Sequence, residues 1–268
     1  LNGTDNILLS ALVGVTAVGL CSNYILLVTT ATTALSYFSN SFTAGIGNLN
    51  VSASNEKKES VLRSLFMLSA WLYGFVALGI YFFADDFITI AFGKDLLVDK
   101  FTLVAIVLHF YVNCVHCVAY TYRTTMGLFK EGRYAPLIAA FINIGSSILF
   151  YNWMGVCGIF FATSFSRFFT MGIWDPVLIY GRFKMNVMRY YSRYFIYMAV
   201  LVVAGLISGF LIQIIPITGI LGFLTKLVLF SITFNLIIFC SAFKTEEFKY
   251  LKETLIRVGK SFIQKVAR

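Results

Sequence analysis

Seven stretches of this chain stay apolar for the ~20 residues that a helix needs to cross about 30 Å of hydrocarbon. No other feature restricts the fold so much. The stretches run approximately over 15–47, 60–84, 101–127, 134–151, 155–180, 194–215 and 217–243. A backbone inside lipid must satisfy its own hydrogen bonds, so they predict helices rather than isolated strands. Composition agrees: 59% of the residues are hydrophobic and 12% charged, against roughly 45–50% and 25% in a soluble domain. That apolar surplus cannot be hidden in one aqueous core. The expected fold is an all-α, multi-pass membrane protein in a bacterial inner membrane.

Orientation follows from lysine and arginine in the short connections. Lys57, Lys58 and Arg63 follow the first stretch, Arg123, Lys130 and Arg133 the third, and Arg182, Lys184, Arg189 and Arg193 the fifth. The C-terminal segment adds Lys244, Lys249, Lys252, Arg257, Lys260, Lys265 and Arg268. The alternate connections carry only Lys94 and Lys100, beside Asp85, Asp86, Asp95 and Asp99. This predicts an N-terminus outside and a C-terminus in the cytoplasm. It also accounts for the net charge of +9 without nucleic acid as a partner. The chain opens on Leu1 with no basic segment before a short apolar one, so no signal peptide is expected. An N-out start of this kind is natural for a fragment preceded by an odd number of spans, and the segment ending near Gly14 reads as the remnant of a further helix.

Two segments fall outside the spanning pattern. Phe87–Phe92 (FITIAF) is too short to cross a bilayer and is expected to dip into the outer interface and turn at Gly93. Beyond Phe243, the residues Phe248, Leu251, Leu255, Val258, Phe262 and Val266 recur every three or four positions, with Lys249, Lys252, Glu253, Arg257 and Lys260 between them. That spacing predicts an amphipathic helix lying on the cytoplasmic interface, held by apolar insertion and anionic lipid. The alternative is a helix packed on the protein's own loops.

Soluble-enzyme motifs are missing: there is no phosphate-binding loop, GxGxxG, GxSxG or HExxH. No catalytic group and no cofactor is expected. Cys114, His116 and Cys117 form C-x-H-C, but only the two cysteines share a helix face, and nothing completes a tetrahedral metal site. Packing is the expected role of the five scattered cysteines. His109 and His116 could serve a proton relay, though packed, hydrogen-bonded rings are the simpler reading.

Charges inside the stretches are more informative. Arg167 falls near the middle of the fifth, where a charge costs at least about 2.5–3.5 kcal/mol unless it meets water or a partner. A guanidinium there suits an anionic substrate group such as phosphate, because its planar fork binds oxygens in pairs. The alternative is a structural pair with a neighbouring helix. Asp175, eight residues on, falls roughly on the same face, with Pro176 kinking the helix end. Arg123, at the cytoplasmic end of the third stretch, either snorkels to the interface or guards a cavity mouth. Lys226, inside the last stretch, suits a snorkelling or structural role. The first stretch carries Asn23, Thr29, Thr30, Thr32, Thr33, Ser36, Ser39, Asn40 and Thr43, and Asn113, Asn143, Ser146 and Ser147 add amides and hydroxyls elsewhere. Such groups promote close helix packing or line an aqueous cavity. The candidate cavity residues are Arg167, Arg123, Asp175, Asn23 and Asn113.

Several local patterns then fall into a familiar order. Thr4-Asp5-Asn6-Ile7-Leu8-Leu9-Ser10, followed by Gly14, Val18-Gly19 and Ser22-Asn23-Tyr24, resembles the start of the second half of polysaccharide-transporter flippases, which move O-antigen and capsular repeat units. These belong to the multidrug/oligosaccharidyl-lipid/polysaccharide exporter superfamily. Ser41–Leu49 with Glu56-Lys57-Lys58, then Gly127-Leu128-Phe129-Lys130, Arg133-Tyr134-Ala135-Pro136 and Asn143, and lastly Gly155–Thr163, resemble its later helix ends and starts, so that the likeness covers almost the whole chain. The resemblance implies a MATE-like second lobe over 1–180, without the lobe's first helix, two additional transmembrane helices over 181–243, and a cytoplasmic amphipathic helix over 244–268. It implies alternating access and, as cargo, an undecaprenyl-pyrophosphate-linked oligosaccharide repeat unit. The implied partners are that lipid-linked oligosaccharide, membrane lipids, the missing N-terminal lobe and polysaccharide assembly enzymes. Family members share no catalytic motif, so no residue roles transfer.

A drug or cation exporter of the same superfamily is the nearest rival. It would want an acidic residue in the cavity, and Asp175 is the only acid within a stretch. A membrane enzyme of polysaccharide assembly would be expected to carry a large outer loop with catalytic groups, whereas the longest outer connection, 85–100, offers mainly acids and two lysines. A non-transporting scaffold would leave Arg167 without a role.

Overall fold

The structure, a computed structural model, describes residues 3–216 and 219–266. Among these there are helices and turns but no strand. Seven helical segments are long and apolar enough to cross a membrane, matching the seven stretches of the sequence. Helices α2 (Val15–Ser41) and α3 (Thr43–Ser52) form the first and α4 (Asn55–Phe92) the second. The third is α5 (Lys100–Val115) with α6 (Cys117–Thr125), and the fourth α7 (Phe129–Gly132) with α8 (Ala135–Met154). The fifth is α9 (Val156–Phe169) with α10 (Met171–Phe183), followed by α11 (Met188–Gln213) and α12 (Gly219–Ala242). A short helix, α1 (Gly3–Leu12), precedes them and α13 (Glu246–Val266) follows. The chain is thus a multi-pass membrane protein by the length and composition of its helices.

The third segment forms the centre. Of its most apolar stretch 67% is buried, against 17% for the first, sixth and seventh segments. Leu103, Ile106, Phe110 and Val115 of α5 belong to one buried cluster with Ile159 and Phe160 of α9. Residues such as Leu206, Phe210, Ile220 and Leu236 of α11 and α12 are more than half exposed, as expected of side chains whose solvent is lipid. Aromatic contacts tie these outer helices inward. Phe75 of α4 stacks on Phe230 of α12 with ring centroids 5.2 Å apart, and Trp71 donates to the Asn235 side chain at 2.9 Å. Polar bridges of this sort hold helices together where lipid removes the hydrophobic drive. An apolar groove of about 690 Å³ opens between α4, α5 and α11.

The most extensive helix contact among the described residues is between α8 and α9. They are joined through Gly155 at φ 64°, a left-handed conformation that glycine adopts without penalty. Three residues on, Gly158 meets the α8 backbone directly: a Cβ there would lie 2.3 Å from the Phe150 carbonyl oxygen.

The acidic end is closed by a small cluster. The Tyr24 hydroxyl donates to Asp85 at 2.6 Å, and Lys100 lies 2.5 Å from the same carboxylate. Asp99 caps α5 by accepting from the Thr102 amide at 3.0 Å. Burial pushes the Asp99 carboxyl up, but its bonds from the Thr102 hydroxyl and nearby amides outweigh this and hold it below the usual carboxylate range.

Three local expectations change. Phe87–Phe92 does not form a separate interfacial dip, because α4 runs unbroken through it and ends at Gly93, whose φ is 102°. Six residues in helical register, five of them apolar, prolong a helix at less cost than they start a new element. Pro176 lies inside α10, which continues to Phe183, and the interruption of this segment comes before the proline, at Thr170 (φ −109°, ψ −87°). Proline cannot donate to the carbonyl four residues earlier, and that carbonyl, of Gly172, is within 3.4 Å of the Tyr191 hydroxyl. The start of α13 is also tied down. Glu247 is buried, 2.7 Å from Arg63 of α4 and 3.2 Å from Arg193 of α11, and Phe248 packs on Phe239 and Phe243. Further along, Leu255 is 72% exposed, while the side chains of Val258, Phe262 and Val266 lie outside the described residues.

Candidate functional site

A cavity of about 330 Å³ opens between the first, second, third and fifth membrane segments. Its polar wall is built by helical spacing: Thr32, Ser36 and Ser39 recur every three or four residues on α2 and face Tyr73 of α4. The Ser39 and Tyr73 hydroxyls hydrogen-bond each other. Thr32 and Ser36 return their hydroxyls to α2's own carbonyls, so these oxygens are satisfied while their surface stays polar.

Arg167 enters this cavity from α9, and its Nη1 donates to the Asn113 side-chain oxygen of α5 at 2.5 Å. The guanidinium is half-buried. A narrow recess lined by Val112, Phe168 and Tyr194 also meets Arg167, Asn113 and His116. Arg167 therefore borders both spaces.

A second cluster lies one step toward the basic end. Asp175 of α10 is fully buried. Its Oδ1 is 2.7 Å from Arg123 Nε, and its Oδ2 is 3.0 Å from His116 Nε2. Arg123 is itself buried and directs Nη1 to the Leu128 carbonyl at 3.3 Å. Gly132 makes room for it, since a Cβ there would fall 2.3 Å from Nη1. Tyr120 places its ring 5.2 Å from the Arg123 guanidinium carbon. His116 stands at the junction of α5 and α6, and Asp175 five residues past the break between α9 and α10. The cluster thus joins the two interrupted segments where each changes course.

Of the residues singled out in the sequence, Arg167 and Asn113 come together at the cavity. Asp175 pairs across helices with Arg123, not along one groove with Arg167. Arg123 neither snorkels nor stands at a mouth, because burial and the Asp175 carboxylate hold it inside. Asn23 is half-buried on α2 and does not line this cavity. Lys226 is half-buried on α12. Cys114 and Cys117 line the cavity wall, the first buried and the second partly so. His116 was missed as a member of the Asp175 cluster. The available signal was depth, since His116, Arg123 and Asp175 all lie in the half of their segments nearer the basic loops.

The outer face of α2 is unusual for a membrane helix. Ser22, Thr29, Thr33, Tyr37 and Asn40 recur at three to seven residues and are all exposed. No protein-family model, no curated protein and no solved structure matches this chain.

Proposed function

We propose that this chain is the second lobe of an inner-membrane flippase, acting by alternating access on undecaprenyl-pyrophosphate-linked oligosaccharide repeat units for surface polysaccharide. The observation that carries the reading is Arg167: a guanidinium in mid-segment that donates to the Asn113 side chain and borders a hydroxyl-lined cavity of about 330 Å³. An intramembrane cation kept at a polar cavity is an electrostatic site for an anionic group, and a lipid pyrophosphate supplies one. The exposed polar face of α2 supports a water-filled space or a facing lobe on that side, since hydrocarbon would leave it unsolvated. Asp175 is sequestered by Arg123 and His116, which speaks against a cation exporter that needs an open carboxylate.

In this reading the basic loops are cytoplasmic and the N-terminal side of α2 is outside, by the bias of lysine and arginine. Helices α11 and α12 are the two additions to the lobe, and α13 runs along the cytoplasmic interface from its anchored start. The test compares Arg167→Ala with Arg167→Lys in cells that depend on the complete transporter, scoring surface polysaccharide and cytoplasmic-face lipid-linked repeat units at matched protein level. Loss of export with alanine and partial rescue with lysine is expected. Normal export with both removes Arg167 from the mechanism and the main support for the reading.

A further inference from the structure

The basic ends of α4 and α11 meet in a seam whose charges balance only with α13 in place. Glu59 and Arg63 stand one turn apart on α4, and Arg189 and Arg193 one turn apart on α11. Glu59 meets the largely exposed Arg189 at 3.4 Å. Arg63 Nη2 and Arg193 Nε instead converge on one oxygen of α13, Glu247 Oε1, at 2.7 and 3.2 Å, so the two nitrogens lie at most about 6 Å apart. Glu246 adds a second acid, 3.4 Å from Arg63. With α13 seated, these three arginines meet three glutamates. With α13 lifted away they share Glu59, and two like charges confront each other across the seam. The counter-ion that two helices need is thus carried by a third.

Beyond that anchor α13 changes character. Lys249, Lys252, Arg257 and Lys260 are exposed, and so are Leu255 and Ile256. Helix α12, a membrane segment, ends at Ala242, and α13 begins at Glu246, so the start of α13 is held at the membrane boundary. An exposed basic and apolar helix at that boundary fits a leaflet of anionic phospholipid, in which apolar side chains insert and cations meet headgroups. Lipid attraction and the Glu247 contacts therefore act on one helix in one position.

We propose that α13 is a strap, keyed by Glu247 between α4 and α11 and held down along its outer part by anionic phospholipid, so that this lipid closes the α4–α11 seam. The effect reaches the candidate site. Tyr190 and Tyr194 of α11 lie with ring centroids 4.7 and 6.1 Å from that of Phe66 of α4, and together with Tyr191 they line the recess that borders Arg167. Loosening the seam moves these rings. The coupling is independent of the cargo in the flippase reading.

The experiment is hydrogen exchange read by mass spectrometry on the full-length protein, in nanodiscs of phosphatidylcholine alone or mixed with phosphatidylglycerol. The reading is the exchange of the first turns of α13 and of α11. Wild type is expected to exchange about tenfold more slowly at both places with phosphatidylglycerol present, a coupling of ordinary size. Glu247→Gln is expected to remove that protection at α11 in both lipids. Adding Arg193→Gln removes one of the facing charges and is expected to restore α11 while α13 stays unprotected, a recovery that general misfolding would not show. Lys252→Gln with Arg257→Gln and Lys260→Gln leaves Glu247 in place and is expected to abolish the response to phosphatidylglycerol. Equal exchange of wild type in the two lipids overturns the control by lipid, and α11 protection unchanged in E247Q overturns the role of Glu247. Faster exchange of α11 with phosphatidylglycerol, as when headgroups displace Glu247 from the arginines, overturns the strap as well.

Discussion

Replacing Asp175 with asparagine is the sharpest probe of how this bundle holds its buried charges. The substitution preserves shape and leaves an amide oxygen for His116, but it strips Arg123 of its counter-charge. At the observed 2.7 Å separation, the gross attraction at an effective dielectric of 20 is about 6 kcal/mol. Arg123 keeps the Leu128 carbonyl and the Tyr120 ring, so the loss is only part of that. Breaking a buried pair from one side typically costs about 3–5 kcal/mol, and the lower half of that range is expected here. Removing both charges is different: in Arg123→Met with Asp175→Asn no unpaired ion remains, and such replacements are neutral to stabilising. The double variant is therefore expected within about 1 kcal/mol of wild type. The assay is reversible unfolding of the purified protein in mixed micelles by increasing SDS, for wild type, both single variants and the double. A D175N cost under about 1 kcal/mol would refute the reasoning, as would a double variant no better than the sum of its parts, which would mean that the cluster is solvated or that packing carries its energy.

Two further outcomes follow from packing and capping. Gly158→Ala is expected to destabilise by about 2 kcal/mol or more, because its new methyl meets the Phe150 backbone at 2.3 Å. Gly79→Ala, whose nearest neighbour would be Phe230 at 3.7 Å, is expected to be neutral or gain up to about 1 kcal/mol from helix propensity; the same unfolding assay separates them. Asp99→Ala should cost about 1 kcal/mol at neutral pH through loss of the α5 cap. Since the folded Asp99 carboxyl lies below its unfolded value of about 3.9, this contribution is present above that value. It disappears as the pH falls through the lower, folded one, so melting curves of wild type and D99A should converge in strong acid.

The seven segments were legible because lipid imposes a length and a polarity that few sequences meet by chance. The interruptions were not. Residues around His116 and Thr170 have no local composition that separates a bent helix from a straight one, and the nearest marker, Pro176, lies six residues beyond the break at Thr170. Arg167 and Asn113 were each visible as polar groups in apolar surroundings, but their meeting depends on how α5 and α9 pack. Asp175 reads from sequence as sharing a face with Arg167, and its contacts with Arg123 and His116 could not be foreseen for the same reason: one-dimensional periodicity relates residues on one helix and says nothing of the next. The anchoring of α13 through Glu247 went unnoticed because the basic residues dominate that segment. An acid at the start of a basic helix, facing connections rich in arginine, was the available clue.

The missing side chain at Gly158 has a mechanical meaning as well. With backbone seated against backbone, α8 and α9 cannot slide past each other without first separating, so they move as a single lever. A rigid hairpin of that kind passes displacement along its length undiminished, to the first place where the chain can bend. On this chain that place is Thr170, so any tilt of the hairpin reappears as a swing of α10 and of the carboxylate it carries.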